Sequence, residues 1–221
     1  MKKKALITGI AGQDGSYLAE FLLNKGYEVH GILRRESIEN STELENLKNI
    51  LDKITLHPCS VDNRSGIYKI IKNVKPDECY HFAAASFVSY SFDDEHSMIS
   101  TNFNSTHYLL STLKEIVPKC RFYFAASSEL FGNAQNSPQN EETKFNPRSI
   151  YGISKLASFY VVKNYREHHG MYACSGISYN HESVRRGNIF VTTKITMSVA
   201  KIFLEKKKKL ELGNIDAIRD W

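Results

Sequence analysis

Two side chains four positions apart, Tyr151 and Lys155, are well suited to acid–base chemistry. In a helix, residues at positions i and i+4 lie on one face, so the phenol and the ammonium would be neighbours. A nearby positive charge favours the phenolate and lowers the pKa of a tyrosine from about 10 towards a range useful for proton transfer. Tyr151 is therefore a candidate general acid and base.

The Tyr-x-x-x-Lys spacing also occurs at Tyr68, and a pattern of two common residue types arises by chance in a chain of 221 residues. The surroundings distinguish the two pairs, because Ser127 and Glu129 precede the second pair at the end of a run that predicts a strand. Hydroxyl and carboxylate groups at the carboxyl end of a central strand lie where such sheets bind ligands. We interpret Tyr68 as helix surface. The predicted catalytic residues are Ser127, Glu129, Tyr151 and Lys155.

Three glycines near the amino terminus, Gly9, Gly12 and Gly15, follow an apolar run and precede a helical pattern that includes Tyr17. A strand, a tight turn and a helix in this order bring backbone N–H groups close to a bound phosphate. The spacing differs from the commoner Gly-x-Gly-x-x-Gly, so an ordinary glycine-rich turn explains it about as well. The loop is either a dinucleotide pyrophosphate cradle or a plain turn, and the rest of the chain must decide.

Two arginines, Arg34 and Arg35, follow the second predicted strand at 27–33. At this point of a dinucleotide-binding fold an acidic residue binds the ribose hydroxyls, whereas arginine accommodates a 2′-phosphate. The pair therefore favours NADP over NAD. Glu36 beside it would weaken that preference, and an exposed basic loop is the plain alternative.

Strand and helix patterns alternate along the chain, which predicts parallel strands joined by crossover helices. Strands are predicted at 4–8, 27–33, 54–57, 78–82, 121–126 and 172–178, with helices at 65–73, 95–116 and 190–205, one opening at 149, and a loop with a short helix at 37–50. Small residues at 83–86 follow the fourth strand, and a polar loop at 179–187 follows the sixth. Both would lie at the edge of the sheet where ligands bind. The predicted fold class is α/β, a Rossmann-like doubly wound parallel sheet.

Composition places the chain among globular proteins, with 42% hydrophobic and 24% charged residues. The net charge of +5 is mild, and the basic run 206–209 is interpreted as a solvated helix end, so no nucleic-acid partner is predicted. The four cysteines stand singly, which predicts buried thiols, a reducing compartment and no metal site. The first apolar run is too short for a signal peptide or a membrane span, so we expect a cytoplasmic protein with no membrane partner.

Four segments together resemble the GDP-mannose 4,6-dehydratases, a family of extended short-chain dehydrogenases/reductases, and the likeness runs along almost the whole chain. They are Thr8–Tyr17, Ser127–Leu130, Tyr151 with Lys155, and Asn180–Ser183. The glycine loop and the Tyr/Lys pair are shared by the whole superfamily. Gln13-Asp14 and the Asn-His-Glu-Ser…Arg-Arg-Gly loop are far more specific.

The resemblance implies dehydration of GDP-mannose to GDP-4-keto-6-deoxymannose by internal hydride transfer through bound NADP. Tyr151, helped by Lys155, would take the proton of the sugar 4-hydroxyl, and Ser127 would hydrogen-bond that oxygen. Glu129 would remove the C5 proton and return a proton to the departing 6-hydroxyl. The implied cofactor contacts are Gly9, Gly12, Gln13, Asp14, Gly15, Arg34, Arg35, Ser60, Val61, Ala83, Ala84, Ser86, Lys155, His181 and Arg186. The implied substrate contacts are Ser86, Ser128 and Asn180.

The resemblance also implies an NADP-binding Rossmann domain at 1–178 and, at 179–221, the incomplete start of a small carboxy-terminal nucleotide-sugar-binding region. Because the family pattern continues beyond Trp221, we expect a fragment or a truncated product. A homo-oligomer is implied, and a related hexose or heptose remains open as the sugar. Two alternatives also remain open: a nucleotide-sugar 4-reductase or epimerase of the same fold, which would not need Glu129 as a base, and a non-catalytic NADP-binding protein.

Overall fold

The computed structural model describes residues 2–39, 42–86 and 94–216. Its contacts divide the chain into two compact units, the first ending at Ser178 and the second beginning at Tyr179. The family resemblance implies a Rossmann domain at 1–178, and the assignment of the two units as a dinucleotide-binding domain and a nucleotide-sugar-binding region remains a prediction. Trp221 lies outside the described residues.

Six parallel strands form the sheet of the first unit, in the order β3-β2-β1-β4-β5-β6. Their bounds are β1 Lys4–Thr8, β2 Glu28–Leu33, β3 Thr55–Pro58, β4 Glu78–His81, β5 Arg121–Ser127 and β6 Ala173–Ser178. The predicted doubly wound parallel sheet is therefore confirmed. The strand order reverses between β1 and β4, and such a reversal opens a crevice at the carboxyl ends of the strands.

Helices pack on both faces of this sheet. Their bounds are α1 Gln13–Asn24, α2 Arg35–Glu39, α3 Arg64–Val74, α4 Glu95–Ile99, α5 Ser105–Ile116 and α6 Ile150–His169, with α7 Val191–Phe203 in the second unit. Side chains alternate between the two faces of a strand. Leu6 therefore packs in a core with α3, α5 and α6, while its neighbour Ile7 packs in a second core with α1.

The helix predicted at 95–116 is interrupted by a π-helical turn at Ser100–Asn104, between α4 and α5. Such turns are rare in proteins, and those that do occur are often found at functional sites. This one carries Asn102, a polar residue that is only 1% exposed. Helix α2 also begins earlier than the short helix predicted within 37–50, because Arg35 already belongs to it.

All four cysteines are free thiols. Cys59, Cys79 and Cys120 are buried as predicted, but Cys174 on β6 is exposed, so the prediction of a buried thiol is wrong there. The reason is the alternation along the strand, which puts Cys174 on the face opposite the one where Ala173 packs in the core. None of the described helices has the length and apolar character needed to cross a membrane.

Candidate active site

The glycine loop is packed so tightly that side chains would not fit. Gly9 adopts a φ of +69°, and a Cβ atom built on it would lie 2.8 Å from the backbone nitrogen of Ala83. A Cβ atom on Gly15 would lie 2.4 Å from the carbonyl oxygen of Gly9. Gly12 caps α1 without any side-chain hydrogen bond to its first turn. The amino end of α1 thus has the features of an anion-binding helix terminus, and the loop fits a pyrophosphate.

The loop that follows β4, residues 82–86, crosses beside this cradle. Its Ala85 is held by Asn102 of the π-helical turn, whose Oδ1 accepts the Ala85 N–H at 2.8 Å and whose Nδ2 donates to the Ala85 carbonyl at 3.3 Å. The same Nδ2 lies 3.2 Å from the hydroxyl oxygen of Ser154 on α6. Asn102 therefore ties the loop after β4 to the helix that carries Tyr151. The sequence analysis missed this residue, since its one signal is a polar side chain within a helical pattern.

Tyr151 and Lys155 lie in the first two turns of α6, which is capped by the Ser149 hydroxyl accepting the Gly152 N–H at 3.0 Å. The Lys155 Nζ atom is 5.9 Å from the centre of the Tyr151 ring, so the two residues share one face as their spacing predicts. This Nζ donates to the carbonyl of Ala125 on β5 at 2.8 Å. Lys155 is 3% exposed, and this desolvation lowers its pKa to about 7. Its charge is therefore responsive to pH near neutrality.

Ser127 ends β5, and Glu129 lies in the single 3₁₀ turn at Ser128–Leu130 that follows it. The Ser127 hydroxyl oxygen accepts the Glu129 N–H at 3.2 Å, which caps that turn. A Cβ atom on Gly152 would lie 2.8 Å from the Glu129 carbonyl oxygen, so the glycine lets the first turn of α6 approach the strand end closely. The structure thereby brings the four predicted catalytic residues to one corner of the sheet edge. Sequence reasoning had not identified the role of Gly152.

The predicted adenosine end of the cofactor site is a cavity of about 450 Å³ at the carboxyl ends of β2 and β3. Three of the predicted cofactor residues, Arg34, Arg35 and Ser60, contribute to its lining, which consists of Arg34, Arg35, Glu36, Pro58, Cys59, Ser60 and Asn63. Two guanidinium groups and one carboxylate give this lining an excess of positive charge. Val61 packs instead in the larger core, so its side chain is not part of this lining.

Comparison with known proteins identifies the family to which the chain belongs. A family model described as GDP-mannose 4,6 dehydratase matches residues 6–221. The chain belongs to this family. The match spans both the glycine cradle and the β5–α6 corner.

Individual relatives in the GDP-mannose 4,6-dehydratase family agree with that assignment. The chain is 49% identical to GDP-mannose 4,6 dehydratase from Drosophila melanogaster, over 99% of this chain and 57% of the relative. It is 48% identical to GDP-mannose 4,6 dehydratase from Homo sapiens, over 98% of this chain and 60% of the relative. The chain therefore spans about three fifths of the length of the curated relatives that it matches.

Solved structures with the same fold include more distant proteins. The dTDP-glucose 4,6-dehydratase DesIV from Streptomyces venezuelae superposes with a TM-score of 0.79 at 21% identity, covering 90% of this chain and 62% of that one. UDP-glucose 4-epimerase from Thermotoga maritima gives a TM-score of 0.80 at 20% identity, covering 92% and 64%. At this level of identity the likeness supports the fold alone.

The remaining predicted site residues belong to the loop after β4, to the 3₁₀ turn after β5 and to the second unit. Ser86 is exposed in the loop after β4, and Ser128 begins the 3₁₀ turn that carries Glu129. Asn180, His181 and Arg186 belong to the second unit. Within that unit, the His181 Nδ1 atom donates to the Tyr179 carbonyl at 2.7 Å.

Arg186 in the second unit is held by two neighbours. Its Nε lies 3.3 Å from a carboxylate oxygen of Glu182, and its guanidinium carbon lies 3.5 Å from the centre of the Phe190 ring. These contacts fix the orientation of the guanidinium group. The cofactor role of Arg186 remains a prediction.

Proposed function

We propose that this chain provides the dinucleotide-binding unit and the acid–base groups of a GDP-mannose 4,6-dehydratase, a nucleotide-sugar hydro-lyase. The observation that carries the proposal is the close packing of the Glu129 turn against the first turn of α6, which brings the backbone of Glu129 next to the helix turn that carries Tyr151. A reductase or epimerase of the same fold needs the Tyr/Lys pair but has no step that requires the Glu129 carboxylate. Family membership supports the same reaction.

The glycine cradle supports a nicotinamide dinucleotide as the resident cofactor, because Cβ atoms on Gly9 and Gly15 would clash with neighbouring backbone, and their absence allows the tight turn that such a cofactor needs. Further support comes from the DesIV structure, which was solved with NAD. A nicotinamide ring bound here would supply the acceptor for the hydride of C4 and the donor that returns it to C6. Arg34 and Arg35 in the cavity beside β2 favour NADP, since guanidinium groups bind a 2′-phosphate.

The side chains of this chain would handle the protons. Tyr151 takes the proton of the sugar 4-hydroxyl as that carbon is oxidised, and Ser127 hydrogen-bonds the same oxygen. The resulting 4-ketone acidifies the proton on C5, which Glu129 removes. Glu129 then returns that proton to the 6-hydroxyl, which departs as water. Once the hydride has returned to C6, C5 takes up the proton that Tyr151 accepted from the 4-hydroxyl, so both side chains end in their starting protonation states. Lys155 supports Tyr151 from the same face of α6.

Other contacts follow from the family resemblance alone. His181 and Arg186 are proposed to bind the cofactor together with Gln13, Asp14, Val61, Ala83, Ala84 and Ser86. Ser86, Ser128 and Asn180 are proposed to bind the nucleotide-sugar, with GDP-mannose as its identity. A homo-oligomer is proposed as well, and light scattering on the purified chain would measure it.

The test of the reaction is a product assay with GDP-mannose and NADP, followed by mass spectrometry for the loss of one water. It is run on this chain and on a chimera that adds the carboxy-terminal portion of the human relative beyond the matched region. Glu129→Gln should abolish product in whichever form is active. Glu115→Gln, an exposed carboxylate on α5, is the matched control and should leave turnover unchanged. Full turnover by the Glu129→Gln variant would overturn the mechanism.

The test of cofactor choice compares affinities for NADP and NAD by calorimetry. Arg34→Ala and Arg35→Ala should each weaken NADP binding by about 10-fold to 100-fold, the value of a charge-assisted hydrogen bond, and leave NAD binding nearly unchanged. Arg121→Ala, at the amino end of β5, is the control. Equal affinities of the unsubstituted chain for the two dinucleotides would contradict the NADP assignment.

A further inference from the structure

The buried histidine His81 lies next to the place where the glycine loop approaches the loop after β4. It ends β4 and is 1% exposed. Its Nδ1 atom is 2.7 Å from the hydroxyl oxygen of Thr8, the last residue of β1. Its Nε2 atom is 3.1 Å from the hydroxyl oxygen of Ser105, the first residue of α5. One imidazole thus links the two strands at the crevice to the helix behind them.

The groups at the two ends of this series of hydrogen bonds, the Thr101 carbonyl and the Ala83 N–H, determine which atom donates in each bond. Ser105 donates its hydroxyl proton to the carbonyl of Thr101, which can only accept. The His81 Nε2 atom must therefore carry a proton and donate it to the Ser105 oxygen. The Nδ1 atom is then an acceptor and receives the proton of Thr8, whose oxygen in turn accepts the N–H of Ala83 at 3.1 Å. Every group is satisfied when His81 is neutral with its proton on Nε2.

Burial keeps His81 in that neutral form. Desolvation, with a smaller contribution from the charge of Lys155, lowers its pKa to about 3. A second proton on Nδ1 would remove the acceptor for the Thr8 hydroxyl. Lys155 is the charged group that acts on this imidazole.

The chain of hydrogen bonds ends on the backbone that forms the crevice. Thr8 directly precedes Gly9, and a Cβ atom on Gly9 would meet the Ala83 backbone at 2.8 Å. The Thr8 hydroxyl holds that same Ala83 N–H. At the far end, Thr101 belongs to the π-helical turn whose Asn102 holds Ala85, and Ser105 directly follows that turn. Ala83 and Ala85 of the loop after β4 are therefore both held by buried side chains.

We propose that His81 is a positioning residue of the dinucleotide crevice, which as the neutral Nε2–H tautomer sets the spacing between the glycine loop and the loop after β4. This inference rests on the proposed function, since it assumes that the crevice binds a dinucleotide. A histidine that only stabilised the core would leave dinucleotide affinity unchanged in the folded protein. A positioning residue affects that affinity even where folding is complete.

The experiment measures NADP affinity by calorimetry at 10 °C, with the folded fraction of each variant checked by circular dichroism. His81→Leu, which removes both hydrogen bonds, should weaken binding at least tenfold. His81→Asn keeps an acceptor attached to Cγ, as Nδ1 is, and should stay within threefold of the unsubstituted chain. His81→Gln places its amide at the Nε2 position, loses the Thr8 contact, and should weaken binding like His81→Leu.

Two further variants test the coupling and the role of stability. Thr8→Val removes the hydroxyl with little change of shape and should weaken binding by about the same factor as His81→Leu, while the double variant should be no weaker than either. Leu113→Ala, a fully buried residue of α5, is the control and should lower the melting temperature without changing the affinity. Should His81→Leu fail to fold, the comparison of His81→Asn, His81→Gln and Thr8→Val decides.

The outcomes separate this inference from the proposed function. If the unsubstituted chain binds neither NADP nor NAD, the proposed function and this inference both fail. If it binds NADP and the folded His81→Leu or His81→Gln variant binds within twofold of it, the inference alone is overturned. Imidazole ¹⁵N NMR gives an independent readout, since a proton on Nδ1 at pH 7 would contradict the assigned tautomer.

Discussion

Burial of the Lys155 ammonium should make the stability of the folded chain depend on pH, and the variant Lys155→Met measures this effect. The ammonium is 3% exposed and has one carbonyl acceptor, on Ala125, at 2.8 Å. Desolvation lowers its pKa from 10.5 to about 7. Because the folded chain holds this proton less tightly than the unfolded chain does, the free energy of unfolding rises with pH between about 7 and 10.5.

The size of the effect follows from that difference in pKa. Each pH unit between the two pKa values corresponds to about 1.4 kcal/mol, so burying the charged lysine costs about 4–5 kcal/mol at pH 6. By pH 9 the buried amine is neutral in the folded chain, and the remaining cost is about 2 kcal/mol. Methionine has a similar length and no charge. The stability advantage of Lys155→Met should therefore shrink by about 2–3 kcal/mol from pH 6 to pH 9.

Urea unfolding of both proteins without dinucleotide, at steps from pH 6 to pH 9, measures this difference, because groups that titrate in both proteins cancel. Lys72→Met, in the Tyr68 and Lys72 pair on exposed α3 surface, is the matched control and should change stability by the same small amount at every pH. A stability difference between Lys155→Met and the unsubstituted chain that stays constant within about 0.5 kcal/mol would refute the reasoning. It would mean that water or a second acceptor solvates the ammonium.

Three other substitutions test the packing of the site. Gly15→Ala puts a Cβ atom 2.4 Å from a backbone oxygen of the same loop, so it should lower the free energy of unfolding by about 1–3 kcal/mol and weaken dinucleotide binding. Both effects are measured against the control Gly213→Ala, whose Cβ atom meets nothing within 4 Å. Asn102→Leu leaves the backbone N–H of the loop after β4 without its acceptor and should cost about 1–3 kcal/mol in urea unfolding; an unchanged value would show that this N–H finds another acceptor. Gly152→Ala should push α6 away from the Glu129 carbonyl and lower dehydratase turnover about tenfold or more, although alanine has the better helix propensity. Unchanged turnover would indicate that the contact between α6 and the Glu129 turn tolerates the shift.

The sequence alone was sufficient for the fold class and for choosing the candidate catalytic residues. Alternating strand and helix patterns force parallel strands with helices on both faces, and all six strands occur within about two residues of their predicted bounds. The i, i+4 spacing of Tyr151 and Lys155 determines a shared helix face, because α-helix geometry is local. The carboxyl ends of strands are also local features, which is why Ser127 and Glu129 could be chosen.

Tertiary structure decided what depends on contacts between distant segments. Spacing left the glycine loop equally compatible with a plain turn, and the approach of Gly9 to Ala83, 74 residues away, makes its glycines necessary. The π-helical turn that buries Asn102 and the imidazole of His81 between two strands and a helix carry no periodic signal in the sequence. The lowered pKa of Lys155 likewise arises from burial that only the assembled sheet and helices create. Local periodicity therefore determined the secondary-structure elements and the choice of candidate residues, whereas long-range packing determined how the side chains of those residues are held and charged.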